Sequence, residues 1–229
     1  MAELIVALDH SDAPSAIALL DQLPEGCAVK VGAVLFTSAG PGFVRALVAE
    51  GHPVFLDLKW YDIPNTVAGA VRSAVDLGVE MATVHAAGGP AMLAAAAAAA
   101  GDRVKLVAVT VLTSFAAPEY AAVTGRDLVD LGAEVTRLAT LAVAAGMAGV
   151  VCSAEELAVA RPAVGSGRLV VPGIRRAEDG AGDQRRVATP EGAVLAGATH
   201  LVVGRPISDA PNPAEAYDAF RRAMPRPIA

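Results

Sequence analysis

Short, almost unbroken apolar runs alternate with Ala-rich stretches along this chain. ELIVALD, CAVKVG, PVFLDLK, MATVHA, VKLVAVTVL, AGVVCS, RLVVPG and THLVVG each have the length of one strand. Continuous rather than alternating hydrophobicity suits parallel strands covered by helices. Eight such runs with helical stretches between them are what a (β/α)8 barrel requires. Helix starts are legible too: Asp12 can cap a segment through Leu23, Pro64 opens a helix through Gly78, and Pro90 begins an Ala-rich one. The Ala94–Ala100 run, between Met92 and a Gly101 stop, reads as the rest of that helix, because Ala is the strongest helix former. The expected fold is therefore α/β, a single TIM barrel spanning residues 1–229.

Length supports this reading, since 229 residues suit one barrel and no linker interrupts them. Hydrophobic residues make up 54%, yet Gly, Pro or charges break every run before the roughly 18 residues of a membrane span. The N-terminus enters an apolar strand directly after Glu3, without a basic segment or cleavage site, so a soluble, cytoplasmic protein is expected. A net charge of -6 argues against nucleic-acid binding, which usually shows a basic patch. Cys27 and Cys152 lie in apolar runs and read as small hydrophobes rather than as a disulfide or metal site.

Charge matters most where strands end. Asp9, Lys30, Asp57 with Lys59, His85, Thr113 with Ser114, and Arg205 fall at or just beyond the C-terminal ends of the apolar runs. In a (β/α)8 barrel that rim carries the active site. Within FLDLKWYDIPNT, residues two apart on a strand share a face, which puts Asp57 beside Lys59, while Asp62 follows on the turn into the next helix. Two carboxylates around one ammonium keep it charged, which makes a poor nucleophile and a good proton donor. The same D-x-K-x-x-D can also be a structural ion-pair network. The chain has only three lysines, Lys30, Lys59 and Lys105, among 18 basic residues; using Lys at strand ends points to a need for a compact charge. His85 fits either a ligand contact or a hydrogen-bonded structural role.

The stretch VVPGIRRAEDGAGDQRRVATP between the last two strands is too polar and Gly-rich for a core. Loops after strands seven and eight are the frequent phosphate site of these barrels. Arg175 and Arg205 would give charge-assisted hydrogen bonds, Gln184 a neutral donor, and Gly204 a closely approaching backbone N–H. Arg176, Arg185 and Arg186 read as ordinary surface arginines. Gly180 and Gly182 would let the loop from Pro172 to Val187 close over a ligand, bringing Gln184 to the phosphate.

These residues resemble the orotidine 5′-phosphate decarboxylase family over nearly the whole chain. The matching pieces are IVALD, VKVG, FLDLKWYDIPNTV, VHAAGG, VLTS, GVVCS, PGIR with DQRRVATP, and VVGRPI. D-x-K-x-x-D alone is shared with a wider group of barrel decarboxylases and aldolase-like enzymes; in this order with PGIR and DQ-R-R it is highly specific. The resemblance implies a catalytic charge network of Lys30, Asp57, Lys59 and Asp62, with Asp62 coming from the neighbouring subunit of a homodimer. It implies that Asp9 and Lys30 hold ribose hydroxyls, that the partner's Thr66 reaches the same region, and that Thr113 or Ser114 reads the pyrimidine edge. Arg175, Gln184, Gly204 and Arg205 would grip the phosphate. It further implies no cofactor and no metal. The bulky Trp60 and Tyr61 after the lysine vary from the pattern and read as packing or subunit-contact residues.

The chemistry fits the residues on its own terms. Loss of CO2 from C6 of the pyrimidine leaves an in-plane electron pair, which a fixed positive charge must stabilise. Lys59 would supply that charge and then the proton, while Asp57 near the substrate carboxylate would be repulsive in the ground state. Three rivals are weaker. A metal-dependent sugar-phosphate decarboxylase or aldolase on the same barrel would carry an acidic ligand near the end of strand two, where this chain has Lys30. A Schiff-base aldolase needs a neutral Lys. A non-catalytic phosphate sensor would keep Arg175 and Arg205 but lose members of the charge network.

Overall fold

A computed structural model describes residues 2–176, 179 and 188–225. The eight expected strands are all present: β1 Glu3–Ala7, β2 Ala28–Gly32, β3 Val54–Trp60, β4 Met81–His85, β5 Lys105–Val109, β6 Gly149–Val151, β7 Arg168–Val171 and β8 His200–Val203. They pair in parallel, in sequence order, and β1 pairs with β8 to close the barrel. The helices are α1 Ala13–Leu20, α2 Ala33–Ala49, α3 Pro64–Leu77, α4 Gly89–Ala100, α5 Ala117–Thr124, α6 Leu131–Ala144, α7 Leu157–Val164, α8 Pro190–Leu195, α9 Arg205–Ser208 and α10 Pro213–Ala223.

The sequence-read helix starts hold. Asp12 caps α1 by accepting from the Ser15 N–H at 2.8 Å, although the helix stops at Leu20 rather than continuing to Leu23. α3 begins at Pro64 and ends on Gly78 at φ 79°, a left-handed cap that glycine adopts without penalty. The Ala run forms the body of α4, which packs against α3. No described helix is long and apolar enough to cross a membrane. Cys27 and Cys152 are both buried, and no disulfide joins them among the described residues.

Strand parity organises the interior. Ile5, Ala7, Ala28, Phe55, Met81, Val107, Val170 and Val202 form one cluster inside the barrel, while residues of the other parity join the larger core beneath the helices. Stepping two residues toward the C-terminal ends from this plug gives Asp9, Lys30, Asp57 and Thr83. Stepping two toward the N-terminal ends gives Glu3, Arg168 and His200. The lumen is thus an apolar plug between two polar caps.

Candidate active site

At the upper cap the Lys59 Nζ lies 2.8 Å from Asp57 Oδ2. Lys30 Nζ donates to Asp9 Oδ1 at 2.9 Å and stands 3.8 Å from the same Asp57 oxygen. Two ammonium groups therefore converge on one largely buried carboxylate, and Asp9 holds the second of them from β1. An open pocket of about 290 Å³ adjoins these charges, lined by Asp9, Lys30, Gly32, Leu35, Asp57 and Lys59 among others. Gly32 keeps this corner open: a Cβ there would sit 3.1 Å from Lys30 Nζ.

Asp57 and Lys59 do meet, as their spacing suggested, but a regular pleat is not the whole reason. The β3–β4 pairing runs Leu56↔Ala82 and then jumps to Trp60↔Val84, so Asp57, Leu58 and Lys59 oppose Thr83 alone. Lys59 takes φ 51°, the one positive φ at a non-glycine position among the described residues. A left-handed lysine costs on the order of 1–3 kcal/mol and persists only where its surroundings hold it. The fully buried Thr83 does so: its hydroxyl accepts the Lys59 backbone N–H at 2.8 Å and donates to Asp57 Oδ1 at 3.0 Å. Sequence reading passed over Thr83 and Gly32. Parity was the available signal for Thr83, a polar residue two places after the plug residue Met81.

The remaining expected residues divide into those the fold gathers and those it leaves apart. Arg175, after β7, is buried and donates to the Ile174 carbonyl at 3.0 Å. Burial, then the nearby positive charge of Arg205, pushes its guanidinium below its ordinary range. The Asp179 carboxylate partly offsets that repulsion, and a bound anion would offset it further. Arg205 is exposed at the start of α9, and Gly204 beside it would place a Cβ 3.1 Å from Asp9 Oδ2. The arginine pair and the lysine network are thus neighbours on the β8–β1 side of the rim.

Asp62 is not part of the lysine network within this chain. It is exposed, and its carboxylate accepts the Ile63 N–H at 2.6 Å instead of facing Lys59. Thr66 is likewise exposed in the first turn of α3. Thr113, partly buried, and Ser114, exposed, lie in the turn after β5. Gln184, with Arg185, Arg186, Gly180 and Gly182, lies outside the described residues. Arg176 is more engaged than a solvated arginine: it pairs with Asp179 at 3.0 Å and its guanidinium lies 5.1 Å from the Phe220 ring centre. His85 packs on Tyr61 at 5.8 Å between ring centres, and burial followed by the Lys59 charge pushes its imidazolium below the usual range. The hydrogen bond expected of a structural His85 is not seen among the described residues, which leaves ring packing as its contact.

A parallel (β/α)8 barrel with charge gathered at the strand C-termini and an arginine pair beside the last two strands defines a barrel enzyme for a phosphorylated substrate. The chain belongs to the orotidine 5′-phosphate decarboxylase / HUMPS family, whose model matches residues 2–220. It is 53% identical over 229 residues to an orotidine 5′-phosphate decarboxylase of Alkalilimnicola ehrlichii, covering 96% of this chain and 95% of the relative. It is 55% identical to the protein of the same name from Halorhodospira halophila, covering 95% and 93%. The crystal structure of orotidine 5′-phosphate decarboxylase from Lactobacillus acidophilus superposes with a TM-score of 0.88 at 34% identity, covering 99% of this chain and all of that one.

Proposed function

We infer that this chain decarboxylates orotidine 5′-phosphate to uridine 5′-phosphate, a step of pyrimidine biosynthesis, and that residues 1–229 act as one catalytic domain. The observation that carries the reading is the Lys59 ammonium held 2.8 Å from Asp57 at the mouth of an open pocket, with Lys30 behind it. Lys59 offers a proton-bearing positive charge where the C6 carbanion develops, so the site stabilises the transition state by charge fixed in advance. The C6–CO2 bond breaks and leaves its electron pair on C6; Lys59 then transfers a proton to C6 and regains one from solvent. Asp57 orients the ammonium and repels the substrate carboxylate. Asp9 and Lys30 take the ribose hydroxyls, and Thr113 or Ser114 reads the pyrimidine edge. Arg175, Arg205, the Gly204 N–H and Gln184 take the phosphate, whose remote binding energy serves closure and orientation at the ring.

Lys30 at the end of β2 opposes a cation, which disfavours the metal-dependent sugar-phosphate alternative. Lys59 makes a metal or organic cofactor unnecessary, so substrate absorbance should fall at an undiminished rate in the presence of a chelator. Activity abolished by chelation and restored by a divalent ion would overturn that.

The working form is a cytoplasmic homodimer in which each site borrows Asp62 and Thr66 from the partner subunit. Tyr61 and Ile63, on either side of Asp62, are 65% and 67% exposed, which supports a covering partner there. Two-fold contacts are reciprocal, so mixing inactive Lys59→Ala and Asp62→Ala chains should restore roughly a quarter of wild-type activity after random exchange. No recovery despite demonstrated exchange would mean that Asp62 acts within its own chain.

A further inference from the structure

The decarboxylation read above depends on where the Lys59 ammonium points, yet Lys59 is the residue whose backbone is least comfortable. Its left-handed φ of 51° sits in the stretch where β3 has lost its ordinary ladder with β4. A strand N–H without a ladder partner must find another acceptor or remain unsatisfied. Here the acceptor is a side chain, the Thr83 hydroxyl at 2.8 Å. An N–H can only donate, so Thr83 Oγ1 must accept there, and its own proton is left for Asp57 Oδ1 at 3.0 Å. No other side-chain hydrogen bond among the described residues reaches either the Lys59 N–H or Asp57 Oδ1.

We propose that Thr83 is a positioning residue for the decarboxylation, its buried hydroxyl coupling the Asp57 carboxylate to the Lys59 main chain and so fixing the aim of the Lys59 ammonium. The three contacts close a ring. Asp57 Oδ2 holds the lysine at its tip, Asp57 Oδ1 is held by Thr83, and Thr83 holds the lysine at its root. Both ends of the lysine side chain are therefore referred to one carboxylate. Thr83 is fully buried on β4, inside the barrel and directly above the apolar plug, so it supplies a rigid reference point that touches no solvent. It lies beneath the reacting groups and acts through them.

Thr83→Val keeps the side-chain shape and deletes the hydroxyl, whereas Thr83→Ser keeps the hydroxyl and deletes a methyl. The inference rests on the decarboxylase reading, and the assay is steady-state consumption of orotidine 5′-phosphate with uridine 5′-phosphate binding measured alongside. Thr83→Val should lose about 10²-fold in kcat, the scale of an ångström-level misplacement of a reacting group. Its KM and its affinity for uridine 5′-phosphate should stay within about threefold, because the phosphate and ribose contacts are elsewhere. Thr83→Ser should retain at least about a third of wild-type kcat, since the donor and acceptor persist. Thr83→Cys, with a weak donor and acceptor, should fall between them and decides the matter if the valine chain does not bind product. Wild-type turnover together with an unimpaired valine chain, a serine chain as slow as the valine chain, or a cysteine chain equal to the serine chain would overturn the positioning role alone. A wild-type chain that does not consume orotidine 5′-phosphate would overturn both readings.

Discussion

The two polar caps of the barrel lumen contain similar residue types and end in opposite conditions. Below the plug, Arg168 donates to Glu80 at 3.2 Å and to His200 Nε2 at 3.3 Å, while His200 Nδ1 lies 2.7 Å from the Thr199 hydroxyl. The arginine can only donate, so His200 Nε2 accepts and the ring is neutral with its proton on Nδ1. Burial, then the Arg168 charge, pushes His200 down to about 4, and burial followed by Glu80 raises Glu3. The cavity there is only about 10 Å³. Above the plug, the Lys59 side chain is 39% exposed, borders about 290 Å³ of open space and stands on a strained backbone. Polar residues inside a barrel are thus not by themselves a site. What separates the caps is whether the charges satisfy one another or are aimed at an opening.

The sharpest way to break that contrast is to delete one group from each cap. Lys59→Ala should lower turnover by more than about 10³-fold, at or beyond the effect of removing one preorganised charge donor, with the chain still folded by circular dichroism. His200→Gln should leave kcat at neutral pH within about twofold, because the lower cap touches no substrate. A lysine variant keeping a tenth of the turnover, or a glutamine variant losing most of it, would erase the distinction.

The lower cap should instead register in acid stability. His200 titrates from an ordinary 6.5 in the unfolded chain and about 4 in the folded one, so the unfolded chain binds the proton first as pH falls. Stability from this group is complete above pH 6.5 and is lost progressively toward pH 4, amounting to about 3 kcal/mol over that window. Urea unfolding of the wild type at pH 7.5 and pH 4 should show this extra loss relative to His200→Gln. Equal losses in the two chains would remove the linkage.

Next in size comes the anion grip. Arg205→Ala should weaken uridine 5′-phosphate by about 1.5–3 kcal/mol, the range for hydrogen bonds to charged groups, and leave uridine itself nearly unaffected. Calorimetry with both ligands separates the two; equal weakening would move the phosphate away from Arg205. Smallest is the strain itself. Lys59→Gly should be more stable to unfolding than Lys59→Ala by about 1 kcal/mol, because glycine meets no Cβ penalty at positive φ.

The barrel was legible because parallel strands buried on both faces write themselves as continuous apolar runs, and β1 to β8 all fell where such runs lie. The lysine network was legible because Lys30, Asp57 and Lys59 are charges set against those runs. Thr83 was not, because a threonine within MATVH has the shape of any β-branched strand residue, and its partners come from a break in pairing that no local pattern announces. The left-handed turn at Lys59 was hidden for the same reason, since LDLKW reads as a regular strand. Asp62 was legible as a charge but not in its local setting: β3 ends at Trp60 before it, and its carboxylate turns to the Ile63 N–H just ahead of α3.

Lys59 also bears on how this protein can be remade. A library sorted by heat resistance or expression alone would enrich glycine at position 59, since it is the residue best matched to φ 51°, and would thereby select against the proton donor. Any directed-evolution scheme for hardier variants has to hold position 59 constant or score turnover in the same round.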